Sequence, residues 1–153
     1  MSLLHLSLPA AEPERIAIFL AELMGGRALP FPPFPDSWIA FGVRDDGTAV
    51  EVYPLTHRLT AGEKQVICTV GEEDKAPSPV HLALASSLSH EAILAKAEEQ
   101  NWLARLCNRG PFECVEIWLE NRLLIEVLDP EMQESYRTGM TMKNWERMFG
   151  LSG

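Results

Sequence analysis

Two histidines and two glutamates stand at matching places of a repeated pattern, and this repetition constrains the fold more than any other feature of the chain. His5 lies in the apolar run LLHLSL and His81 in PVHLAL; Glu51 lies in AVEVYP and Glu126 in LIEVLDP. The interval from His5 to His81 and the interval from Glu51 to Glu126 agree to within one residue. Around these anchors the order β, α, β, β, β runs twice. One helix cannot cover a four-stranded sheet, so a unit of this kind packs with a second one. The predicted fold is therefore α+β, two βαβββ modules packed together. A single domain over residues 1–153 is expected: module 1 at about 3–54, a connector at 55–79, module 2 at about 80–130 and a C-terminal helical tail at 131–153.

The elements follow from local pattern. Leu3 to Leu8, closed by Pro9, alternates as a strand. Pro13 suits the first turn of a helix whose apolar stripe is Ile16, Phe19, Leu20, Leu23 and Met24, ended by Gly25 and Gly26. Four prolines between Leu29 and Pro35 predict an extended loop. Strands Ser37–Val43 and Thr48–Tyr53 flank Asp45, Asp46 and Gly47, a strong hairpin signal. The connector holds one β-like stretch, Gln65–Val70. The second round predicts a strand at Val80–Ala85, a helix capped by Ser89 and running to about Asn101, and strands Leu103–Cys107, Glu113–Leu119 and Arg122–Leu128. Its helix rests on a weaker stripe, Ile93, Leu94 and Ala97. The tail carries two short helical patterns, the second at Lys143–Phe149.

Alternation along a strand sets which side chains share a face. Leu4, Leu6 and Leu8 oppose His5 and Ser7; Val50 and Val52 oppose Ala49, Glu51 and Tyr53; Val80, Leu82 and Leu84 oppose His81 and Ala83. The leucine and valine faces suit packing under helices. The other faces mix an imidazole or a carboxylate with small residues, which leaves room for a cavity. Two imidazoles and two carboxylates converging there suit a borderline divalent ion such as zinc, nickel, cobalt, iron or manganese.

Charge and cysteine usage narrow the partners. Thirteen Lys and Arg against 22 Asp and Glu give a formal charge of −9, which repels nucleic acid and anionic membrane surfaces. No apolar run is long enough to span a bilayer and the N-terminus lacks a secretion signal, so a cytoplasmic protein is expected. Cys68, Cys107 and Cys114 form no CxxC pair and are expected as reduced thiols, with Cys107 and Cys114 facing one another across a hairpin. Phe31, Phe34 and Trp38 flank the proline-rich loop as a lid or as plain coverage of the sheet. Arg105, Arg109 and Arg122 are the nearest basic candidates for an anionic substrate group. His57 and His90 are expected on the solvated surface, and the tail side chains Met140, Met142, Trp145, Met148 and Phe149 are expected to pack on the body or on a second copy.

With its His, Glu, His, Glu pattern, the chain resembles the vicinal oxygen chelate superfamily, which includes glyoxalase I, fosfomycin-resistance enzymes, extradiol dioxygenases and bleomycin-resistance proteins. The resemblance covers about residues 3–130 and implies that the two βαβββ modules form a cupped mixed sheet. It implies a metal bound by His5, Glu51, His81 and Glu126 as in glyoxalase I, a small-molecule substrate with vicinal oxygens, and a homodimer whose site draws on one or both chains. It also implies that Glu126 acts as the catalytic base, leaving the ion to carry a proton while the other three residues hold the metal. The stretch LSLPAAEP has no basic residue before Arg15, unlike glyoxalase I, which speaks against glutathione as co-substrate. The expected function is thus a metal-dependent lyase or isomerase. The alternatives are a metal-free binding protein resembling bleomycin-resistance proteins and a ferrous dioxygenase-like enzyme.

Overall fold

The structure, a computed structural model, describes residues 3–44 and 46–151. Asp45, part of the hairpin signal, lies outside the described residues. The chain divides between Pro77 and Ser78 into two compact units. The segment read as a connector thus belongs to the first unit and the helical tail to the second.

In the first unit, β1 (His5–Ala10), α1 (Pro13–Leu23), β2 (Arg27–Pro30), β3 (Trp38–Phe41) and β4 (Ala49–Pro54) form a four-stranded sheet in the order β1-β4-β3-β2. β1 runs parallel to β4, and the other pairs are antiparallel. A separate hairpin, β5 (His57–Ala61) with β6 (Val66–Val70), follows. The second unit repeats the plan. Its strands β7 (Leu82–Ala85), β8 (Ala104–Asn108), β9 (Glu113–Leu119) and β10 (Leu123–Leu128) take the order β7-β10-β9-β8, with β7 parallel to β10 and α2 (His90–Glu99) between β7 and β8. α3 (Pro130–Gly139) and α4 (Met142–Phe149) complete it.

Each core forms where the sequence pattern places it. α1 opens with Pro13 in its first turn and buries Ile16, Phe19, Leu20 and Leu23 against β2, β3 and β4, where Val50 and Val52 are buried beneath it. Burial of each such side chain contributes roughly 1.5–3 kcal/mol. The weaker stripe of α2 buries only Ile93 and Ala97, on β8 and β9. Its N-cap is Ser89, whose hydroxyl accepts from the Ala92 N–H.

Three elements differ from the sequence expectation. Residues Arg27–Pro30 form a strand that runs into the expected extended loop at Leu29 and Pro30; β2 is an edge strand, so the missing N–H of Pro30 breaks no ladder. The second unit's first strand begins at Leu82, which leaves His81 exposed just before it. The connector gains β5, so His57 is half-buried in a strand rather than free on the surface.

His90 also has a partner. Asp129 caps α3 by accepting the Met132 N–H at 2.9 Å and meets His90 Nδ1 at 3.0 Å, tying the start of α2 to the start of α3. The hydrogen bond to Asp129 holds His90 above its ordinary value. No helix among the described residues is long and apolar enough to cross a membrane. Asp129→Ala removes the cap and is expected to lower stability by about 1–2 kcal/mol in urea denaturation, whereas Asp129→Asn, which still caps, recovers most of the loss.

Candidate functional site

The two repeats set their glutamates in the same register. In the first, Ser7 of β1 lies opposite Glu51 of β4, which lies opposite Ile39 of β3, itself opposite Leu29 of β2. In the second, the row is Ala83, Glu126, Glu116 and Arg105. His5 and His81 each stand two residues before the residue opposite the glutamate. Strand alternation puts His5 on the same face as Ser7 and Glu51.

The first repeat holds Glu51 with neutral donors. The Ser7 hydroxyl donates to Glu51 Oε2 at 2.9 Å and the Tyr53 hydroxyl donates to the same oxygen at 2.5 Å. Burial, then the bond to Glu51, pushes Tyr53 up to about 12, so it keeps its proton. Phe31 and Phe34 pack on the Tyr53 ring, at centroid distances of 6.0 and 5.3 Å. Two of the three candidate lid residues therefore cover the Glu51 face. Trp38 lies in β3, paired with Pro30 and Val52.

The second repeat holds Glu126 with a charge. Arg109 Nε donates to Glu126 Oε1 at 2.7 Å, and Arg109 Nη2 donates to Glu116 Oε2 at 2.8 Å. Glu116 takes two more donors on Oε1, from Arg105 at 2.5 Å and from the Trp118 indole at 2.9 Å. Both carboxylates are buried, Glu116 at 3% and Glu126 at 8% exposure. Burial pushes Glu116 up, but the donors from Trp118, Arg109 and Arg105 outweigh it and bring the carboxyl down to about 2. The bond to Glu126 is the largest influence on Arg109, and it raises the guanidinium further. Two arginines thus balance two glutamates.

A tight turn aims Arg109. Its N–H bonds the Phe112 carbonyl, Gly110 adopts φ +92°, and the Gly110 N–H bonds Asn108 Oδ1. α3 presses on this turn: a Cβ at Gly139 would stand 2.4 Å from the Pro111 carbonyl oxygen, so only glycine permits the approach. Cys107 and Cys114 face one another across β8 and β9 as free thiols, and burial pushes Cys114 up to about 11.

In the first unit His5 pairs with Ala49, one step along the same face from the Ser7–Glu51 pair. The structure brings His81 and Glu126 to the lining of one cavity of about 300 Å³ in the second, together with Arg109. His81 Nδ1 lies 3.1 Å from the Pro79 carbonyl; as the donor there, it leaves Nε2 as the nitrogen that could accept a hydrogen bond or hold a metal. Each unit offers one imidazole and one carboxylate, a donor set that fits half of a divalent-metal site. Among the described residues, no group of three His, Cys, Asp or Glu side chains stands together as a metal-holding cluster. Arg122 lies in the turn between β9 and β10, at the opposite end of those strands from Arg109. Glu116, Ser7 and Tyr53 were not singled out by sequence. Glu116 carries a signal, since it stands in the strand run ECVEIWL downstream of two arginines.

No protein-family model and no curated protein matches the chain. Several solved structures share its fold. The fosfomycin resistance protein FosX of Listeria monocytogenes, complexed with Mn(II) and sulfate, is 11% identical with a TM-score of 0.55 over 90% of this chain and 96% of that one. FosX from Mesorhizobium loti is 12% identical with a TM-score of 0.54, over 87% and 95% of the two chains. The trypanothione-dependent glyoxalase I of Leishmania major is 13% identical with a TM-score of 0.51, over 99% of both.

The depressed Glu116 carboxyl gives stability that is present above the unfolded value of about 4.3 and is lost as pH falls toward about 2. Glu116→Gln is therefore expected to flatten the fall in urea midpoint across that acid window; an unaltered acid limb would contradict the network.

Proposed function

We propose that this chain, which carries the vicinal oxygen chelate fold, is a divalent-metal-dependent lyase or isomerase that moves a proton on a small substrate with two neighbouring oxygens. The observation that carries this reading is that in both repeats the glutamate stands opposite the residue two positions after a histidine, with His5 inside β1 and His81 just before β7. A FosX protein of the same fold is known with Mn(II). In this reading His5, Glu51, His81 and Glu126 hold the ion, be it zinc, nickel, cobalt, iron or manganese, through two neutral nitrogens and two carboxylates. When bound, the ion supplies Lewis-acid stabilisation of negative charge on the substrate oxygens.

The chain's own residues do the rest. Glu126 is the proton carrier. Arg109 fixes its Oε1, while Oε2 takes no hydrogen bond among the described residues and is the oxygen that accepts the proton. Ser7 and Tyr53 orient Glu51 without cancelling its charge. Glu126, in contrast, shares its charge with Arg109, so the first repeat contributes the stronger half of the metal site. The homodimer implied by the resemblance belongs to the same proposal and is read by light scattering.

One observation favours a second reading. Arg109 already pairs with one oxygen of Glu126, and the cavity beside it is lined mostly by apolar side chains, as in a protein that holds a ligand without a metal. Metal content separates the two. Protein purified without added metal is expected to carry a divalent ion by elemental analysis. Glu51→Ala and His81→Ala are expected to lose it. Glu126→Gln is expected to retain metal while proton exchange on substrate falls by about 10²–10⁴-fold. Unchanged metal content in Glu51→Ala and His81→Ala contradicts the proposal.

A further inference from the structure

The cavity of the second unit is lined by three polar side chains, His81, Arg109 and Glu126, and by apolar ones, among them Phe112, Tyr136 and Met140 beside three side chains of α4. Those three, Trp145, Met148 and Phe149, remain 44%, 48% and 55% exposed, and α4 has no buried residue. The helix is well capped, by Thr141 at its start and by Gly150 at φ +63° at its end. A helix of eight residues is nevertheless marginal without a tertiary partner, and its apolar side chains stay largely in water unless something fills the cavity they line.

The chemistry of the occupant follows from the lining. Rings and thioethers favour an aromatic body. Arg109 is engaged by Glu126 and Glu116, and Glu116 also by Arg105, so two cations and two anions cancel and no spare charge awaits a charged ligand. A cavity of about 300 Å³ is about twice the roughly 150 Å³ engineered cavity that holds benzene. We infer that this cavity binds a neutral aromatic molecule of one or two rings, its rings against Trp145 and Phe149 and its hydroxyl donating to Glu126 or to His81 Nε2. As the identity of a substrate, this rests on the metalloenzyme reading; as a binding site, it does not.

The test is calorimetric titration of the chelator-treated full chain with 2-naphthol, alongside 2-naphthoate and cyclohexanol, with metal uptake measured separately. Saturable binding of 2-naphthol is expected, with 2-naphthoate and cyclohexanol each at least tenfold weaker. Trp145→Ala and, as an independent variant, Phe149→Ser are each expected to weaken 2-naphthol at least tenfold, while Leu59→Ser, on the exposed β5 strand, leaves it unchanged. Hydrogen exchange in residues 142–149 is expected to slow on binding. Failure of 2-naphthol to bind, equal binding of 2-naphthoate, or unchanged affinity in both α4 variants overturns the inference. A protein that binds 2-naphthol but takes up no metal keeps the inference and loses the metalloenzyme reading; one that takes up metal but binds no 2-naphthol does the reverse.

Discussion

The arrangement depends on the parallel pairing of the first and last strand of each repeat. β1 lies against β4 and β7 against β10, and the register of those pairs decides which side chains share a face. A slip of one residue would carry Glu51 or Glu126 to the helix-covered side, where an unpaired carboxylate has no compensation. The buried faces guard against such a slip. Val50 and Val52 flank Glu51 in sequence, and Ile125 and Val127 flank Glu126, so each glutamate is held in place by the apolar residues that point the other way.

The repeats share a backbone plan but have diverged at their glutamates. Where the first has Ile39 and Leu29 across the sheet from Glu51, the second has Glu116 and Arg105 across from Glu126. The first repeat covers its carboxylate with hydroxyls and rings. The second builds a buried ionic network that is costly to assemble unless every group is satisfied, and Glu116 is satisfied by three side-chain donors. The consequence is one carboxylate whose charge is left whole and another that is steered and partly neutralised by a guanidinium.

Much of this was legible before any coordinates. The duplicated order of elements, α1 with its Pro13 start, α4 between Thr141 and Gly150, and the hairpin signal ahead of Glu51 follow from local patterns with short-range causes. β2 was hidden by the prolines around it, because proline argues against a strand unless the strand is known to be an edge, and edges are a tertiary property. β5 was hidden because HRLTA has little alternation of its own and gains its partner only by closing on β6. Arg105 and Arg109 read in the sequence as candidates for an anionic substrate group, whereas the structure pairs them with Glu116 and Glu126, and pairing across three strands requires the register. The equivalence of Glu116 with Ile39 is likewise a property of the register, because the repeat interval in the sequence aligns Ile39 with Cys114 or Val115.

The central claim is that one divalent ion takes two imidazoles and two carboxylates from this chain's repeats. X-ray absorption at the metal edge of the zinc-loaded protein tests it most directly. The account predicts a first shell of nitrogen and oxygen alone, with outer-shell scattering from two imidazole rings, one of which is lost in His5→Ala. A shell containing sulfur, or scattering from fewer than two imidazoles in the unaltered protein, would contradict it.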